Sequence, residues 1–301
     1  MEHAGLRVYI CVNNTYLVCI MKKISLSNVV LKNIAYLIML IDHSVYVIYT
    51  AMRQHHSLTG NGPVMSYQVY SAGRLIGRSA FVLFAYLITE GFTHTGSKLK
   101  YLMRLILFAF ISEIPYDLVF KGRVIDYSSQ NIYFTLSLGV FALIVWEWAG
   151  KNAQKIRCAK VKRDVWWYVC VGACTSAQFG MLLFVCYAAH YLRTDYQYMG
   201  VLLIFTFYIL KNKPILIQCV PAACVMFFGM WSVNLLKYAG SYTTAYLFRF
   251  SMRELFGLFA FIPIALYDGT KGRQLPKVVY YGFYPVHLLV LRGIAYVIVG
   301  G

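Results

Sequence analysis

Charge is what this chain has least of. Of its 301 residues only 11 are Asp or Glu, and charged residues of both signs make up 13%, against roughly 25% in average soluble domains. A soluble fold of this size could not hide the apolar surface that remains, so that class is excluded. The eight cysteines include no CxxC pair and build no loop framework. Most of them (Cys170, Cys174, Cys186, Cys219, Cys224) sit inside apolar runs and read as small buried hydrophobes. No HxxxH or HxxE spacing occurs within a span, which argues against a metal site. There is no internal repeat, no low-complexity stretch, and no loop long enough to hold a soluble domain.

What is present is apolar length. Hydrophobic residues reach 60% and mean hydropathy is +0.60. Runs of about 20 apolar residues recur, the length that crosses a bilayer as a helix. The sequence predicts an all-α, polytopic transmembrane helix bundle of about nine spans, within a range of eight to ten. They are 29–49, 75–92, 99–120, 132–149, 165–191, 196–210, 214–236, 244–267 and 278–299. Residues 29–301 form a single domain. Residues 1–28 are a separate N-terminal segment, read as a weak span, a surface helix, or sequence ahead of a start at Met21. It lacks a small-residue cleavage site and is not expected to be a cleaved signal peptide.

Net charge is +17, yet the basic residues fall in short loops between apolar runs. That pattern fits the positive-inside rule and contact with anionic lipid, and no nucleic-acid partner is expected. On the nine-span topology, 15 Lys and Arg gather on the side of the N-terminus and six on the other. The expected location is a bacterial cytoplasmic membrane, multi-pass, with the N-terminus in the cytoplasm.

Ionisable groups at membrane depth are costly and mark function by default. Asp42 and His43 lie side by side in the outward half of the first span. Arg74 and Arg78 are four apart on one helix face. Glu113 and Asp117 repeat that spacing, with Pro115 between them expected to kink the helix. Gln130 and Asn131 open the fourth span, and Asp195 sits between the fifth and sixth. Arg249, Arg253 and Glu254 fall in the eighth span. Glu90 and His94 lie further inward, and His287 lies mid-membrane in the ninth. Any one of these could be a packing ion pair. Together they predict a polar cavity. Asp42 and His43 point about 100° apart round their helix, so they are not a dyad on one face. His43 would take an orienting partner from another span, and histidine titrates where a general base should.

These residues fall within recurring strings. They are Leu31-Lys-x-Ile-Ala-x5-Ile-Asp-His43, Gly77-Arg-x-Ala-Phe-x-Leu-Phe-Ala-Tyr-Leu, Glu90-Gly-Phe-x-His-Thr95 and Tyr101-x-x-Arg-Leu. Further on come Ser112-Glu-Ile-Pro-Tyr-Asp117, Gln130-Asn-x-x-Phe-Thr-Leu, Asp195-Tyr-x-x-x-Gly200, Leu266-Tyr-Asp-Gly-x-x-Gly272 and Phe283-Tyr-Pro-x-His-Leu-Leu289. In these strings, across about 31–291, the chain resembles the TraX family of membrane proteins, named for the acetylase of conjugative pilin. More distantly, Lys32-x-x-Ala35-x-x-x-Met39-x-x-x-His43 is similar to the Arg-x-x-Ala-x-x-x-Val-x-x-x-His pattern of other transmembrane acyltransferases. Lysine and methionine stand here where that pattern has arginine and valine. The step from Lys32 to His43 is three helical turns, so both face one way.

The resemblance implies an enzyme: an acetyl-CoA-dependent N-acetyltransferase acting on a pilin-like or other extracytoplasmic acceptor. Acetyl-CoA would be donor substrate, with no metal. The expected catalytic residues are His43 as base and Asp42. Lys32, Arg78, Glu90, Glu113, Asp117, Gln130, Asn131, Asp195 and His287 are expected to bind donor or acceptor. The basic stretch 151–163 is a candidate attractor for the donor's phosphates, although plain topological charge explains it as well. Three other functions stay open: O-acetylation of a surface glycan, proton-coupled transport through the same intramembrane charges, and a non-catalytic membrane scaffold for a surface structure. Against transport, no matched pair of interrupted helices appears.

Overall fold

The computed structural model describes residues 25–60, 64–158, 165–238 and 240–299. Nearly all of the N-terminal segment, and residues 159–163 of the basic stretch, lie outside them. Among the described residues the chain is helical, with no strand beyond two isolated bridges. In order the elements are α1 (Asn28–Thr59), α2 (Tyr67–His94), α3 (Lys98–Phe120), α4 (Ile132–Cys158), α5 (Val165–Tyr191), α6 (Gln197–Leu210) and α7 (Ile215–Lys237). Then follow α8 (Thr244–Ser251), a 3₁₀ segment (Met252–Ala260), α9 (Phe261–Ala265) and α10 (Lys277–Val299).

Among the described residues six helices are long and apolar enough to cross a membrane: α1, α2, α4, α5, α7 and α10. Their outer faces carry large apolar side chains: Trp166, Leu183 and Val220 are 74%, 68% and 65% exposed. Such a surface belongs in lipid, and this is a membrane protein. The remaining segments differ from the nine expected spans. α3 has the length but carries Lys98, Lys100, Arg104, Glu113 and Asp117. α6 has only 14 residues. The expected span 244–267 is not one helix; it breaks into α8, the 3₁₀ segment and α9. A 3₁₀ helix rises about 2.0 Å per residue against 1.5 Å in an α-helix, so nine residues cover about 18 Å in place of about 13 Å. Apolar composition reads the same in either form, so the sequence could not show the break.

Two expected loops are shorter than predicted. α1 continues to Thr59 and stops at Gly60, whose φ of 70° only glycine adopts freely. α2 begins at Tyr67, where the Ser66 hydroxyl accepts from the Val69 N–H. Likewise α4 runs on past Ala149. α3 passes through Pro115 as a continuous helix.

α2 is the most enclosed of the long helices. It packs against α1, the 3₁₀ segment, α6 and α4. A stripe at steps of four runs down α1: Leu31, Ala35 and Met39, then Val47 and Ala51, all buried, the last two against Leu291 and Ala295 of α10. His43 occupies the gap in that series.

The start of α1 is tied to the segment after α9. Leu26 N–H donates to Leu266 O (2.9 Å), Asp268 N–H to Leu26 O (3.1 Å), and Asn28 N–H to Thr270 O (2.8 Å). Gly269 and Gly272 turn this segment with φ of 81° and 66°, which accounts for both glycines of the Leu266–Gly272 string. Hydrogen bonds from Ser25 and Thr270 hold the Asp268 carboxyl below the usual carboxylate range.

The tightest approach is between α1 and α2 at Gly77. A Cβ there would collide with the Asp42 carboxylate. Gly77→Ala should therefore destabilise the protein by roughly 1–3 kcal/mol, the cost of overpacking. Gly282→Ala, with nothing within 4 Å of its added carbon, should be neutral or stabilising. Thermal unfolding in detergent checks the contrast.

Candidate active site

A cavity of about 660 Å³ runs through the bundle between α1, α2, α3, α4, α10 and the 266–277 connection. At one end stand Asn28, Lys32, Lys271, Gln274 and Lys277. At the other stand Asp42, His43, Arg74, Arg78 and Asp195. Lys32 and His43 mark the two ends on a single helix, eleven residues and about 16 Å apart.

The middle is aromatic, with Tyr36, Tyr101, Tyr133, Tyr280, Tyr281 and Tyr284 in its wall. Two of these rings, Tyr133 and Tyr36, are anchored on α10. Pro285 has no N–H, so the carbonyl four residues back, Tyr281 O, loses its helical donor. The Tyr133 hydroxyl donates to it at 2.8 Å. One residue earlier, Tyr36 OH donates to Tyr280 O at 2.8 Å. Proline thus turns a helix defect into an anchor for a cavity-lining ring.

His43, on α1, meets its partner on α10. His43 Nδ1 lies 2.7 Å from His287 Nε2. The rings are 6° from coplanar with centroids 5.0 Å apart. That separation is the hydrogen-bond length plus one ring radius on each side, so the bond lies in the shared plane and the rings do not overlap. His287 Nδ1 sits 2.9 Å from Phe283 O. A carbonyl only accepts, so His287 carries its proton on Nδ1 and presents Nε2 as acceptor. His43 must then donate from Nδ1, and its Nε2 keeps a free lone pair. The carbonyl–histidine–histidine chain fixes ring and tautomer, the preparation a general base needs.

Asp42 turns away from that chain. Its Oδ2 takes an ion pair from Arg74 Nη1 at 2.7 Å. Arg78 reaches Glu254 Oε1 at 3.4 Å. At the opposite end Lys32 Nζ donates to Gln274 Oε1 at 2.9 Å and lies over the Tyr280 ring. Glu90 accepts from Tyr267 OH at 3.2 Å and lies 3.7 Å from His94.

Of the residues expected from sequence, Lys32, Asp42, His43, Arg78, Glu90 and Asp195 line the cavity, whereas Glu113, Asp117, Gln130, Asn131 and His287 do not. Glu113 accepts from the Asn131 side chain and, at 3.2 Å, from its backbone N–H. Asn131 also donates to Ala109 O at 2.7 Å and caps Tyr133 N–H at 3.0 Å. This cluster fastens the start of α4 to α3. Asp117, fully buried, accepts from Asp126 N–H at 2.7 Å and holds the intervening loop. Gln130 pairs through its backbone with Arg193 and Asp195. His287 stands behind His43, hydrogen-bonded to it. Lys151, Lys155 and Arg157 are also absent from the cavity wall. Among the described residues no group of three or more His, Cys, Asp or Glu could hold a metal.

Sequence reasoning gave no role to Arg104, the tyrosine wall or the Lys271–Lys277 mouth. The count of 26 tyrosines was the available signal, but tyrosine reads as apolar filling within a span.

Residues 27–295 match the family described as TraX protein. The chain belongs to the TraX family. The match runs from just ahead of α1 to near the end of α10, and so includes every residue of the cavity wall. A "Probable fimbrial assembly protein FimC, serogroup H1" of Dichelobacter nodosus is 31% identical over 83 residues, 25% of this chain and 34% of the relative. The match thus spans about a third of that relative's length. No solved structure matches this TraX-family chain.

The Asp42–Arg74 pair yields a stability test. Arg74→Ala strands a carboxylate inside the bundle and should cost about 3 kcal/mol. Adding Asp42→Asn to that background should recover most of the loss in a thermal unfolding cycle in detergent.

Proposed function

We propose that this protein is an integral membrane acetyltransferase. It moves an acetyl group from acetyl-CoA to the amino group of an extracytoplasmic acceptor of pilin-like kind. The observation that carries this is the cavity itself. It joins a lysine-rich mouth to a histidine whose tautomer is fixed and whose second nitrogen is free. The match to the TraX family and the partial likeness to a fimbrial assembly protein point the same way.

The chain crosses the cytoplasmic membrane nine times, counting α3, the short α6 and the broken 244–265 unit. The N-terminus and the Lys271–Lys277 mouth face the cytoplasm, in keeping with the positive-inside rule. There Lys32, Lys271 and Lys277 meet the phosphates of acetyl-CoA as point charges. The pantetheine arm lies along the tyrosine wall and brings the thioester to His43.

The acceptor nitrogen attacks the thioester carbonyl and the C–N bond forms. His43 Nε2 removes a proton from that nitrogen. Arg74 and Tyr284 offer donors to the oxyanion, the position where charge develops. The C–S bond then breaks, and the histidinium returns its proton to the departing thiolate. Free CoA leaves towards the cytoplasm, and the acetylated acceptor leaves outside.

His43→Ala should lower acetyl transfer by roughly 10²–10⁴-fold while the protein still inserts and binds acetyl-CoA; retained turnover would rule out the assignment. His287→Phe keeps the ring volume but removes the acceptor of the His43 bond. It should cost about 10–100-fold, the range for loss of an orienting partner, measured as kcat at saturating donor.

A further inference from the structure

The connection between α5 and α6 is the most strained backbone among the described residues. Arg193, Tyr196 and Gln197 have φ of 53°, 60° and 46°, a region that residues with a side chain rarely enter. Such strain persists only where the surroundings enforce it. Gln130 N–H donates to Arg193 O at 3.2 Å, and Asp195 N–H donates to Gln130 O at 2.9 Å. The Thr135 hydroxyl donates to Asp195 O. The Tyr196 ring stacks on Phe81 with centroids 3.9 Å apart. These contacts converge on one residue, Asp195, which lines the cavity.

Its carboxylate is distinctive among those in the cavity wall. Asp42 has Arg74 and Glu90 has His94 within ion-pairing distance. Asp195 has no such cation among the described residues. The charges that reach it are Arg78 and Arg74 against Asp42, and Arg78 is already engaged by Glu254. Arg78 is thus shared between Glu254 and the more distant Asp195, and Asp195 is left without an ion-pair partner of its own among the described residues.

We propose that Asp195 receives the acceptor as an ammonium ion and takes its first proton, so that the amine meets His43 as a neutral nucleophile. This rests on the acetyl-transfer reading above. An α-amino group has an ordinary pKa of about 8, so it arrives largely protonated at neutral pH. An ammonium has no lone pair and must shed a proton before attack, then a second after the C–N bond forms. One histidine cannot take both. Asp195 takes the first and releases it to water at the outer end. His43 takes the second and passes it to the CoA thiolate. Burial pushes the Asp195 carboxyl up to about 6, against the pull of Arg78 and Arg74, which makes it a better proton acceptor than an ordinary aspartate. Tyr284 neighbours both bases, its ring 6.0 Å from His43 and within reach of the Asp195 charge.

The test compares two nucleophiles in the purified full chain with acetyl-CoA as donor. One is a short peptide with a free N-terminal amine, which arrives as an ammonium. The other is hydroxylamine, already neutral at the same pH. Asp195→Asn should lower the ratio of peptide to hydroxylamine acetylation by about 100-fold, and Asp195→Glu should restore much of it. An equal loss with both nucleophiles makes Asp195 structural and overturns the proposal, as does an unchanged ratio. If the wild type acetylates neither, the acetyl-transfer reading fails first and takes this one with it. If His43→Ala abolishes transfer while Asp195→Asn leaves the ratio intact, only the role of Asp195 falls.

Discussion

A carboxylate inside an apolar bundle must meet a cation or several hydrogen-bond donors, because the bilayer core offers it no water. The His43 end of the bundle is built round that need. Asp42 takes Arg74, and Gly77 leaves the space that lets the carboxylate pack against α2. Arg78, one helical turn on, takes Glu254 and so brings the 3₁₀ segment against the same helix. Glu113 takes the amide and backbone of Asn131 and fastens α4 to α3. Each polar satisfaction is also a helix–helix contact. The pairs hold apart the wall of a cavity that apolar packing alone would close.

The histidine chain obeys the same constraint with opposite effect. Phe283 O, His287 and His43 satisfy one another in sequence and leave a single unsatisfied nitrogen at the end. Donation from the other nitrogen of His43 to His287 is what makes that one lone pair chemically distinct. Asp195 is its counterpart among the acids: a carboxylate held in strained backbone without a cation of its own. A site for proton transfer needs groups of this kind, kept short of a partner by the surrounding geometry.

How much of this could be read from the sequence depended on distance along the chain. The stripe Lys32–Ala35–Met39–His43 was legible, because helical geometry fixes which way residues eleven apart must face. The divergence of Asp42 from His43 was legible for the same reason. The need of His43 for a partner on another span was clear, but its identity was not. His287 lies 244 residues away, and no local spacing encodes such a meeting. Glu113 and Asn131 show the opposite limit. A polar group at membrane depth carries the same signal whether it pairs with a neighbour or faces a cavity, so the cluster that fastens α3 to α4 looked like part of a binding site. The mouth at Lys271 and Lys277 was counted as topological charge. The tyrosine wall was hidden in apolar spans, and Pro285, which frees the carbonyl that Tyr133 takes, explains the position of that one ring.

The central claim is that the cavity joins a thioester donor to an acceptor across the membrane. The direct measurement is release of free thiol from acetyl-CoA by the purified protein in liposomes, with and without an amine-bearing peptide on the opposite face. The account predicts thiol release that depends on the peptide and matches, mole for mole, its gain of acetyl mass. Acetyl-CoA left intact beside an acceptor that crosses the membrane unmodified would contradict it.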